Sequence, residues 1–107
     1  MSREITEDPE HPDRWLVIDG RRWRRTDPSL PPPLVEALQS QLGGARSAVR
    51  TAKRDGDDAA LAAARERVGL AKRGLGERGD PWWQREEADR LAHAEASLEE
   101  LERAAQL

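Results

Sequence analysis

The chain contains no cysteine, no phenylalanine and no tyrosine. Without cysteine it forms no disulfide, offers no thiolate nucleophile, and lacks the commonest ligands of structural zinc. Without phenylalanine and tyrosine its aromatic content is four tryptophans: Trp15, Trp23, Trp82 and Trp83. Lysine is scarce, since sixteen of the eighteen basic residues are arginine. That bias points to a GC-rich bacterial genome and concerns codons more than function. No apolar run approaches the roughly 20 residues that a membrane-spanning helix needs, so no membrane partner is expected. The opening residues Met1 to Asp8 are acidic and carry no apolar core, which does not fit a signal peptide; the expected location is the cytoplasm.

What is present is charge and alanine. The chain has 107 residues, enough for one domain. Apolar and charged residues each make up 36%, and the mean hydropathy is −0.89, a composition that suits amphipathic helices with solvated outer faces. The net charge of −3 conceals an acidic–basic–acidic order. Residues 1–13 hold five acids and one arginine, residues 14–78 fourteen bases and eight acids, and residues 79–107 eight acids and three bases. Two readings follow. Either an acidic last helix lies along basic earlier ones, or the basic middle meets an anionic partner.

Residues 1–13, polar and broken by Pro9 and Pro12, read as a disordered acidic tail. Residues 14–25 read as a β-hairpin, with Asp19-Gly20 as its two-residue turn. That turn pairs Ile18 with Arg21, Leu16 with Trp23 and Trp15 with Arg24. By alternation, Leu16, Ile18 and Trp23 share the face expected to pack on the helices. Asp27 to Pro33 is a stiff, proline-rich connector. Three helices are expected after it, over about residues 32–54, 57–78 and 81–104. Leu38, Leu42, Ala45, Val49 and Ala52 form the first seam, and Leu61, Ala64, Val68, Ala71 and Leu75 the second. The third is Ala88, Leu91, Ala94, Leu98, Leu101 and Ala105. Gly43-Gly44 interrupts the first helix as a kink or a close-packing point, with Trp23 a candidate to rest over it. Asp57 and Asp80 are the expected N-caps of the second and third helices. The fold class is therefore mainly α: an N-terminal β-hairpin packed on a three-helix antiparallel bundle or long helical hairpin, with residues 14–107 forming a single domain.

The chain carries no recognisable catalytic constellation. Gly74-Leu75-Gly76-Glu77-Arg78-Gly79 has the glycine content of a phosphate cradle, but no strand precedes it and no Lys-Ser/Thr follows. Its glycines read better as a helix terminus that lets Trp82 or Trp83 pack closely. His11 and His93 have no partner at metal-binding spacing, and nothing combines a nucleophile, a base and an orienting group. No cofactor, metal or small-molecule substrate is implied, and the protein is not expected to be an enzyme.

The candidate interaction surface joins Trp15, Arg21, Arg22, Trp23, Arg24 and Arg25 of the hairpin to Trp82 and Trp83. The leading reading is a noncatalytic protein-interaction or structural module that self-associates, with a homodimer completing a thin core or with another protein as partner. The alternative is nucleic-acid binding through an arginine-rich β-ribbon, extended along the first helix by Arg46, Arg50, Lys53 and Arg54. Trp15 beside Arg24 also reads as an internal cation–π pair.

Several of these stretches together resemble the opening of a family of small uncharacterised bacterial proteins. They are Arg14-Trp15, Asp19-Gly20-Arg21-Arg22-Trp23-Arg24, Asp27-Pro28, Leu30-Pro31, Ala45-Arg46, Ala71-Lys72, Leu75-Gly76-Glu77-Arg78-Gly79 and Pro81-Trp82-Trp83. Some members of that family are labelled biopolymer transporter Tol. The likeness spans about residues 14–83, and it implies no assigned activity and no catalytic or binding residue.

Overall fold

A computed structural model describes residues 4–105; residues 1–3 of the expected tail and 106–107 of the expected domain lie outside them. The element order is β1 (Ile5–Glu7), β2 (Trp15–Ile18), β3 (Arg21–Arg24), α1 (Pro32–Asp55), α2 (Asp58–Gly74), a single 3-10 turn (Trp82–Gln84) and α3 (Glu87–Ala105).

Asp19 and Gly20 both take positive φ, 52° and 81°, so the β2–β3 turn is of type I′ and its twist matches that of the strands. The register is the expected one, with Ile18 opposite Arg21, Leu16 opposite Trp23 and Trp15 opposite Arg24. The acidic segment differs from expectation. Instead of a disordered tail, Ile5–Glu7 pairs antiparallel with β2, and the hairpin becomes a three-stranded sheet of order β1-β2-β3. Asp8 makes this possible. Its buried carboxylate accepts the backbone N–H groups of Glu10 and His11 at 2.9 and 3.0 Å and binds Arg22 Nε at 2.9 Å, which closes the chain back toward β2.

α1 begins with Pro32 and Pro33, whose missing N–H groups have no partner to lose in a first turn. It ends at Gly56, which takes a left-handed conformation (φ 66°). Asp57 then caps α2 by accepting Ala60 N–H at 3.0 Å. Gly43-Gly44 does not break α1, and the group lying over Gly44 is Arg67 rather than Trp23. α2 stops at Gly74, short of the expected Arg78, because Leu75, Gly76 and Gly79 turn the chain, the last two at φ 80° and 83°. Asp80 does not cap the third helix. Pro81 leads into the 3-10 turn, and α3 starts six residues after the expected boundary, at Glu87.

The α1 and α2 seams meet as expected, in an antiparallel pair whose turn is Gly56-Asp57. At the turn end the contact is made by Ala45, Ala52 and Ala64. At the other end α3 packs across the pair, and Leu30, Leu38, Leu42, Ala71, Leu75, Ala94 and Leu101 form one apolar core. The α3 stripe is rotated from the expected line. Ala94, Ser97 and Leu101 are buried, whereas Ala88 and Leu91 are exposed and Arg90 occupies the inner position. The molecule is flat, 43 × 39 × 21 Å. Its radius of gyration of 15.0 Å exceeds the about 13 Å of a compact chain this long. No described helix is long and apolar enough to cross a membrane.

Candidate interaction surface

The sheet meets the helices at the corner between α2 and α3. Trp15, on β2, sets its ring edge-on to Trp83 (centroids 5.7 Å apart, 65°), and Trp83 stands edge-on to Trp82 (5.2 Å, 87°). Arginines layer over these rings. Arg22 lies 4.2 Å above Trp15, Arg14 lies 4.9 Å above Trp83, and Arg24 sits beside both at 6.0 and 5.7 Å. Such contacts contribute about 0.5–2 kcal/mol each according to their exposure.

Hydrogen bonds fasten the same corner. Trp82 Nε1 donates to the Arg25 carbonyl at 3.1 Å, and Arg24 Nη1 donates to the Gly79 carbonyl at 2.8 Å. Asp27 N–H donates to the Leu75 carbonyl at 2.9 Å, and the Thr26 hydroxyl to Glu77 at 2.7 Å. Gly76 is required here, because a Cβ would stand 3.0 Å from Asp27 Cβ and 3.2 Å from Trp82 Cδ1. The glycines of the 74–79 run therefore do what the sequence suggested, ending a helix and admitting a tryptophan.

Behind Trp82 lies a polar node that sequence reasoning missed. Arg90 binds Asp27 through two nearly parallel contacts, Nε to Oδ2 at 2.9 Å and Nη2 to Oδ1 at 3.0 Å, with only 12% and 3% of the two side chains exposed. Arg90 also donates to the Trp82 carbonyl at 3.1 Å, and its guanidinium lies 5.4 Å from the Trp82 ring centre. The signal for the node was Asp27 in the connector, an acid followed by Pro28 and Ser29, whose N–H and hydroxyl both bind its Oδ1.

The expected surface thus divides. Trp15, Arg24, Trp82 and Trp83 are occupied in joining sheet to helices, Arg22 binds Asp8 and stacks on Trp15 within the sheet, and Arg25 donates to the Pro12 carbonyl at 2.7 Å. Arg21, Arg22 and Trp23 are exposed, with Arg21 4.7 Å above the Trp23 ring and Trp23 itself 40% exposed. The Leu16–Ile18–Trp23 face does not close on the helices as expected, because Trp15 anchors the sheet from its opposite face. It borders a solvent-open cleft of about 750 Å³, which Arg46 of α1 and Lys72 of α2 also line, together with the acids Asp13 and Glu77.

Lys72 Nζ lies 5.7 Å from the Trp23 ring centre. Its pKa is held below the ordinary lysine value, first by burial and then by the positive charges of Arg78 and Arg46, against a smaller opposing pull from Glu77. Beside the cleft, Arg46, Arg50, Arg65 and Arg78 surround the half-buried Val49 and Val68 in a shallow hollow. Among the described residues none of Arg46, Arg50, Arg65, Lys72 and Arg78 has a carboxylate within 4.0 Å. The α3 acids do not pair with the bases of α1 and α2, so the basic middle is not neutralised by that helix. Lys72 and Arg78 belong to this surface although they were not singled out in the sequence; they join Arg46 only once α1 and α2 pack side by side. No family model, curated protein or solved structure matches the chain.

Proposed function

We propose that the protein is a noncatalytic interaction module whose binding surface is the Trp23 cleft, and that its partner is an acidic segment of another protein. The observation carrying this reading is a cleft with an apolar, tryptophan-bearing wall facing unpaired cations. A tryptophan beside cations, open to be covered by a partner, is a typical hot-spot composition, and an incoming carboxylate would supply Lys72 with opposite charge, of which its surroundings are short. The arginine-ribbon alternative has lost much of its support. Arg22 is bound to Asp8, Arg24 to Gly79 and Arg25 to Pro12, so Arg21 is the one ribbon arginine with no such bond among the described residues. The three helical seams meet within one chain, so the reading rests on the charged cleft and not on a second copy completing the core.

The test is calorimetric titration with poly-glutamate and with an oligothymidylate of equal charge, using the natural chain and an Arg46→Ala/Lys72→Met variant. Poly-glutamate binding that weakens about tenfold in the variant supports the module, since two charge contacts are removed. Tighter binding of the oligothymidylate, with affinity falling steeply as salt rises, would move nucleic-acid binding to first place.

A further inference from the structure

We infer that the partner segment binds in extended form, adding to β3 as a fourth strand of the sheet. This rests on the cleft reading above and specifies its geometry. β3 lies at an edge, with β2 as its one neighbour among the described strands. In a two-residue hairpin the pair flanking the turn is hydrogen-bonded and the pattern alternates from there. Ile18–Arg21 and Leu16–Trp23 therefore exchange backbone bonds, as does Arg14–Arg25, whose N–H to carbonyl distance is 2.8 Å. The backbone N–H and C=O groups of Arg22 and Arg24 consequently point away from β2, along the open edge.

Three features favour an acidic strand at this edge. The side chains alternate, so Arg22 and Arg24 are bound by Asp8 and Gly79 on one face, while Trp23 lines the cleft on the other with Arg21 stacked on its ring. An incoming strand would place every second side chain on the cleft side, where carboxylates are complementary to Arg46 and Lys72. A second copy's β3 is disfavoured, since pairing two such edges sets arginines against arginines. The opposite edge, β1, carries the exposed acids Glu4 and Glu7 and repels the same segment. Because the corner already holds β3 in strand conformation, the partner alone has to become ordered.

The probe is a short peptide of alternating glutamate and valine, prepared unmodified and in two N-methylated forms, one blocking the glutamate amides and the other the valine amides. Strand addition requires that one methylated form, the one whose blocked amides face β3, lose about tenfold or more in affinity while the other binds as the unmodified peptide does. It also requires that the Arg22 and Arg24 amides exchange freely in the unbound protein and become protected on binding, while those of Arg21 and Trp23 are protected throughout. Equal affinity of all three peptides, with Arg22 and Arg24 still exchanging, overturns strand addition and leaves the cleft reading standing. No binding of the unmodified peptide overturns both.

Discussion

Arg90 and Asp27 form a buried ion pair between the connector and α3, and such a pair is costly to half-remove. Arg90→Ala leaves Asp27 charged, 3% exposed and short of its main partner, so a loss of about 3–5 kcal/mol is expected. Urea unfolding with an unchanged slope and a lower midpoint is the check; a change below about 1 kcal/mol would show that the pair contributes little. Asp8 sets a pH limit on the N-terminal strand. The N–H groups of His11 and Glu10, then the Arg22 charge, hold its pKa below the ordinary value of 3.8. A depressed carboxylate contributes its full stabilisation above the unfolded value and loses it as pH falls through the folded one. β1 amides should therefore lose exchange protection below about pH 4, and Asp8→Asn should remove that pH dependence. Lys72 has the opposite sign, because burial and neighbouring cations disfavour its charged form in the folded chain. Lys72→Met should raise thermal stability at neutral pH while weakening acidic-peptide binding; a variant that both unfolds earlier and binds unchanged would remove Lys72 from the site.

At the scale of elements, two glycines separate propensity from packing. A Cβ on Gly43 meets nothing within 4 Å, so Gly43→Ala should stabilise α1 by about 1 kcal/mol. A Cβ on Gly74 meets Ser97 Cβ at 2.9 Å and Leu38 Cδ2 at 3.1 Å, where all three helices cross. Gly74→Ala should destabilise by about 1–3 kcal/mol, overpacking outweighing the helix gain. Thermal melts of the pair check the contrast, and a destabilised Gly43→Ala would contradict it. Much of this level was legible in the sequence: the Asp19-Gly20 turn and its register, the α1 and α2 seams, and the Gly56-Asp57 break. Each rests on local chemistry or on periodicity within one segment. What was illegible depends on partners distant in the chain. Ile5–Glu7 became a strand through Asp8 meeting Arg22, and α3 turned Arg90 inward because Asp27 waits there. For the site, the sequence marked Trp23 and Arg21. It also offered Arg22 and Arg24 as candidate cations; the Trp15–Arg24 stacking was legible there, but the Asp8 and Gly79 bonds that hold the two arginines depend on residues brought together by folding.

At the scale of the whole molecule, the sheet is fastened to the helices through one corner. Trp83→Ala removes the ring that touches both Trp15 and Trp82. Helical circular dichroism should persist while amides of β2 and β3 exchange faster; loss of helix and sheet together would show one inseparable unit. The distribution of the tryptophans has an optical consequence. With no tyrosine present, near-ultraviolet emission comes from four indoles alone. Trp15, Trp82 and Trp83 share the corner, and Trp23 stands apart at the cleft. A soluble quencher should therefore reach Trp23 first, and light emitted from that indole should report cleft occupancy without any attached dye.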